Sequence, residues 1–155
     1  MKMVRERVLD LLLRVAERKP RDFTGLGVVF YTSLAHLPHL ALGQSLPTGL
    51  GLPVAGAESV AITLAKVSGR ASAWHDGFHF VDAHSLALTH LCQFLSPGIP
   101  HEFSQSEGAS PMGARHMTAQ LVSRLQGIEC VGLLTNQDVL TLFERGAQVH
   151  TVKVK

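Results

Sequence analysis

Two cysteines, one tryptophan and one tyrosine are all that this 155-residue chain has of those residues, and only 17% of it is charged. Each scarcity excludes something. Cys92 and Cys130 sit singly in apolar segments with no Cys-x-x-Cys partner, which excludes a zinc site built on thiolates and suits buried thiols in a reducing compartment. Fourteen basic against twelve acidic residues leave a net charge of +2, and no basic run is interleaved with aromatics, so nucleic acid is not an expected partner. Long apolar runs are missing too. The richest stretches, Leu11–Leu13, Leu26–Tyr31 and Val60–Ala65, end well before the ~18 residues a membrane span needs. Asp10, Arg14 and Glu17 interrupt any signal-peptide core, and a cytoplasmic product is expected.

What the chain does have is 46% apolar residues, enough for one sizeable core and a single domain over 1–155. Val4, Val8, Leu11, Leu12 and Val15 recur at helical spacing until Pro20 stops them. Leu26–Tyr31 is a short apolar run, the pattern of a buried strand. Residues 32–57 are broken by prolines and glycines and read as irregular, with one short strand around Leu40. A helix is expected over Glu58–Val67, stopped by Gly69, then strands over Gly77–Val81 and Leu86–Leu95 around the turn Asp82–Ser85. Ser110-Pro111 has the form of a helix start, with Leu121, Val122 and Leu125 buried and Gly127 at the end. Strands follow at Ile128–Leu134, Val139–Phe143 and Gln148–Val154. The pattern is α/β: one domain with a mixed, mostly antiparallel sheet flanked by helices.

Two segments concentrate polar groups in apolar surroundings. In Trp74-His75-Asp76-Gly77, an imidazole and a carboxylate stand side by side, a pair able to hold a divalent cation or accept a hydroxyl proton. The plainer reading is a turn into a strand, with Asp and Gly supplying the turn geometry. In Met112-Gly113-Ala114-Arg115-His116-Met117, backbone N–H groups at a helix start and an arginine suit a phosphate. There the plainer reading is a solvated first turn. Nine histidines suggest a metal protein as a third class. Yet Pro38 breaks any helix joining His36 to His39, and His75 and His79 on a strand would stand ~13 Å apart, too far to share an ion.

Taken together, the two segments resemble the motifs of the diadenylate cyclase (DAC) domain. That family carries an Asp-Gly-Ala motif leading into a hairpin, a Gly-Thr-Arg-His-Arg motif at a helix start, and a Ser-Glu-Glu turn between strands. The counterparts are His75-Asp76-Gly77-Phe78, Gly113-Ala114-Arg115-His116-Met117 and Thr135-Asn136-Gln137-Asp138, and the likeness in order and spacing runs from about Gly51 to Gly146. This chain departs from the family at Phe78, where an alanine is usual, at Ala114 for threonine, at Met117 for arginine, and at Asn136 and Gln137 for paired glutamates.

The resemblance implies a nucleotidyltransferase that condenses two ATP into the second messenger cyclic di-AMP and releases pyrophosphate. Asp76, Arg115 and His116 would be catalytic. Gly77, Phe78, Leu95, Gly113, Ala114, Arg115, His116 and Thr135 would line the nucleotide. His75, Asp76 and Asp138 would hold a divalent metal, Mg or Mn. Two ATP molecules attacking one another imply two chains face to face, a dimer at least during catalysis. The alternative is a DAC-fold module that binds ATP or a cyclic dinucleotide without turnover.

Overall fold

The computed structural model describes residues 2–43, 50–103 and 113–154. The amphipathic first segment forms helix α1 (Lys2–Arg18), with Val8, Leu11, Leu12 and Val15 fully buried. Helix α2 (Ala57–Val67) lies beside it and buries Val60, Ala61 and Leu64. Arg14 donates to Glu58 at 2.9 Å and Arg18 pairs with the same carboxylate, tying the polar faces of the two helices together.

Among the described residues seven strands make one sheet: β1 (Leu26–Tyr31), β2 (His39–Ala41), β3 (Phe78–Asp82), β4 (Leu88–Leu95), β5 (Ile128–Leu134), β6 (Val139–Glu144) and β7 (Ala147–Lys153). Their order is β2-β4-β3-β1-β5-β6-β7. Of these strands β1 and β3 run parallel, with α2 in the crossover between them; the other pairings are antiparallel. β1 is central and covered on both faces, which is why it reads as a continuous apolar run. Val28 and Phe30 point into the core under α1 and α2. Val29 points the other way, into a second core with Phe78, Phe80, Val131 and Phe143. Helix α3 (Ala114–Val122) caps that second core with Ala119 and Val122. The result is a single α/β domain, and among the described residues three helices flank the sheet. Among those residues, too, no helix is long and apolar enough to cross a membrane.

Some expected boundaries move. The Ser110-Pro111 helix start lies outside the described residues, and α3 begins after Gly113 and ends at Val122. Gly127 therefore does not end that helix. It turns the chain into β5 at φ +90, where a Cβ would lie 2.5 Å from the Ser33 carbonyl oxygen. The Asp82–Ser85 turn forms as expected, with Asp82 accepting the His84 and Ser85 N–H groups at 2.9 Å.

Candidate functional site

Asp76 is placed by the residue after it. Gly77 has φ +73 and passes so close to β4 that a Cβ would lie 2.7 Å from the Gln93 carbonyl oxygen and 2.9 Å from Leu42 Cδ1. Only glycine fits there without strain. The chain turns sharply into β3, and Asp76 is left at the rim with one carboxylate oxygen accepting the Gly77 N–H at 2.9 Å. Its side chain is 75% exposed.

Arg115, in the first turn of α3, reaches back to this rim. Its Nη2 is 4.0 Å from the Asp76 carboxylate. Its Nη1 lies over Gly25, where a Cβ would come within 2.6 Å. The missing side chain at position 25 is what makes room for the guanidinium. Burial pulls the Arg115 pKa down and Asp76 pulls it up. The helix start beside it carries no side-chain cap, since Gly113 occupies the N-cap in an extended conformation.

His79, which the sequence raised only as a rejected metal partner of His75, lies within electrostatic reach of Arg115. It is 1% exposed, and its Nδ1 accepts the Cys92 N–H at 3.0 Å. Burial, with the nearby Arg115 charge second, pushes its pKa down to about 3, so the ring is neutral. Gly25 was missed as well. Its only sequence signal is a Gly-Leu-Gly entry into a strand.

The other expected site residues are placed elsewhere or are already engaged. Phe78 is 5% exposed, and its ring lies so close to β1 that a Cβ on Gly27 would meet it at 2.6 Å. Leu95 is buried in the same core on the α3 side. His116 packs edge-on against Phe143, ring centres 4.9 Å apart, and burial lowers its pKa. The Thr135 hydroxyl oxygen accepts the Gln137 and Val139 N–H groups at 3.2 and 3.3 Å, holding the β5–β6 turn. Ala114 opens α3, and Gly113 caps it.

The structure does not bring the expected metal set of His75, Asp76 and Asp138 together among the described residues. His75 Nδ1 is bonded to the Ser72 carbonyl at 2.7 Å, within its own loop. Asp138, at φ +64, turns its carboxylate into an ion pair with Lys19. Among the described residues no three His, Cys, Asp or Glu side chains stand together as ligands of one ion. It is the engagement of Asp138 by Lys19, and not the Nδ1 bond of His75, that keeps the three from standing together as a preformed ion site.

No family model and no curated protein matches this chain. Solved structures do. DacA from Staphylococcus aureus superposes with a TM-score of 0.57 at 14% identity, covering 99% of this chain and 89% of that one. The fold is DAC-domain-like. A hypothetical membrane spanning protein from Bacillus cereus also has a TM-score of 0.57, at 16% identity. That match covers 94% of this chain, which spans 60% of the other's length. In the DAC-like frame, Asp76-Gly77 leads into β3 and Arg115 lies in the first turn of α3, and the two side chains meet where the sheet and the helix adjoin.

Proposed function

We propose that this chain is a nucleotide-binding module on a DAC-like fold, taking ATP or cyclic di-AMP through its phosphates at Arg115. The observation that carries this is the meeting of Arg115 and Asp76 at 4.0 Å, with Gly25 keeping space for the guanidinium. An exposed ion pair of that length is weak, and a phosphate replaces Asp76 at the guanidinium fork through shorter, bidentate bonds. The first turn of α3, which carries Arg115, has no side-chain cap, and its N–H groups would add to an anion's binding there. Binding without turnover is favoured by the diversion of Asp138 to Lys19 and by Phe78 filling the space over Gly27.

A second reading, a diadenylate cyclase, is favoured by the exposure of Asp76. In it, two chains face each other with one ATP apiece. Each ribose 3′-hydroxyl attacks the α-phosphorus of the facing ATP, Asp76 takes the hydroxyl proton, and two pyrophosphates leave with one cyclic di-AMP formed. Arg115 holds the charge that develops on the phosphate.

The experiment is a melting-temperature and calorimetric titration of wild type and Arg115→Ala with ATP and cyclic di-AMP, alongside chromatography of wild type incubated with ATP and Mg²⁺ or Mn²⁺. Binding that Arg115→Ala loses, without product, supports the module. Cyclic di-AMP in the chromatogram, rising per chain with protein concentration, establishes the cyclase. Binding of neither nucleotide overturns both.

A further inference from the structure

Four adjacent strands bring together a histidine pair that no local motif announces. His39 on β2 and His90 on β4 have ring centres 5.9 Å apart at an interplanar angle of 81°. Phe80 of β3 packs against both, at 5.0 Å from His39 and 5.1 Å from His90. Each imidazole is also oriented through its Nδ1. His39 Nδ1 is 2.8 Å from the Leu37 carbonyl oxygen, so it carries the proton and donates. His90 Nδ1 is 2.9 Å from the Thr89 hydroxyl, which is itself 2.7 Å from the Tyr31 hydroxyl and 3.3 Å from the Phe80 carbonyl oxygen. With the Thr89 proton given to that carbonyl, its oxygen accepts from Tyr31 and from His90 Nδ1–H. Both rings then present an unprotonated Nε2.

A hydrogen bond from Nδ1–H to a carbonyl or hydroxyl is what orients an imidazole as a metal ligand and fixes its tautomer. Two imidazoles sharing one tetrahedral ion at Zn–N distances of about 2.1 Å hold their ring centres about 5 Å apart. The observed 5.9 Å is within a small side-chain adjustment of that value. Burial and the neighbouring His39 lower the His90 pKa, which keeps that ring neutral and able to ligate near neutral pH. His39 lies at the exposed sheet edge, so an ion has access from solvent. Nitrogen donors of this kind select zinc, copper or nickel over magnesium or manganese.

We propose that His39 and His90 form a two-imidazole site for a borderline transition-metal ion such as Zn²⁺, with solvent completing the coordination. The site shares no residue with the Asp76–Arg115 pair and does not depend on nucleotide binding. The test uses the full chain, stripped with a chelator and titrated with Zn²⁺ against a chromogenic competitor, for wild type, His39→Ala, His90→Gln and a His84→Ala control. Expected are one ion per chain in wild type and in His84→Ala, and affinity at least tenfold weaker in the other two. Because His90 packs on Phe80 and its variant can unfold, the exposed His39→Ala decides the matter. Zinc should also move the His39 and His90 imidazole NMR signals ahead of the other histidines. Zinc binding unchanged in His39→Ala, or signals moving first at other histidines, overturns the site.

Discussion

Asp138 is ion-paired with Lys19, the residue that follows helix α1, so the carboxylate nearest the position of the absent glutamates is committed to holding the β5–β6 turn against that helix. Asp138→Asn keeps an amide that tolerates the left-handed φ of +64 and removes the ion pair. We expect a loss of ~1 kcal/mol, read as a melting temperature lower by about 2–4 °C, with ATP affinity unchanged. A variant that loses nucleotide binding while keeping its melting temperature would place Asp138 in the site after all.

Asp76 and Arg115 should respond oppositely to substitution. Asp76→Asn removes the carboxylate that competes with a phosphate for the guanidinium, so ATP should bind at least as tightly as to wild type. Arg115→Ala should weaken binding by tenfold or more, since charge-assisted bonds contribute about 1.5–3 kcal/mol. Calorimetry on the two variants checks both directions. Under the cyclase reading the same Asp76→Asn chain makes no cyclic di-AMP.

Gly27 and Phe78 should be energetically coupled. A Cβ at position 27 would meet the Phe78 ring at 2.6 and 2.7 Å, so Gly27→Ala should cost about 1–3 kcal/mol. In a Phe78→Leu background, where the ring is gone, the same change should cost less. Urea unfolding of the four chains in the cycle measures the coupling, and strict additivity would show that the contact is absent in solution.

Acid should destabilise the domain through His79. Its folded pKa, about 3, lies below the ordinary 6.5 of the unfolded chain. Between those values the unfolded state binds the extra proton, so stability falls as pH falls through that window. From pH 7 to pH 5 the loss from this one group is about 2 kcal/mol. His90 and His116, also lowered by burial, add to it in the same direction. Urea midpoints across this range should drop accordingly. The His79 imidazole signals should stay those of a neutral ring to pH 5.

The elements were most legible where a single local pattern governs them. The bounds of β1 and β5 agree in sequence and structure because both are apolar runs buried on two faces, and α1 follows from one apolar stripe. The motif residues Asp76 and Arg115 were visible as chemistry, and their meeting was not. It depends on the parallel β1–β3 pairing and on α3 lying against β5, both of which join distant parts of the chain. Phe78, expected at the nucleotide, packs in the core because its neighbour across the sheet is a glycine whose missing side chain the ring replaces. Lys19 had no local signal, Gly25 only a Gly-Leu-Gly entry into a strand and His79 only its spacing from His75, since each acquires its role from a residue on another element.

The seat of Arg115 carries one more consequence. The guanidinium rests over Gly25, which lies beside the carbonyl of Leu134 at the end of β5, while Asp76 arrives from the start of β3. No stretch of the chain short enough to fold alone contains these parts together. A proteolytic fragment or a partly unfolded species therefore lacks the Arg115 seat, and a phosphate ligand bound there would select the complete native domain. By mass action it protects every element at once, at 100 times its Kd by about 2.7 kcal/mol. Amide exchange in strands remote from the ligand, such as β6, should slow together with that at the rim.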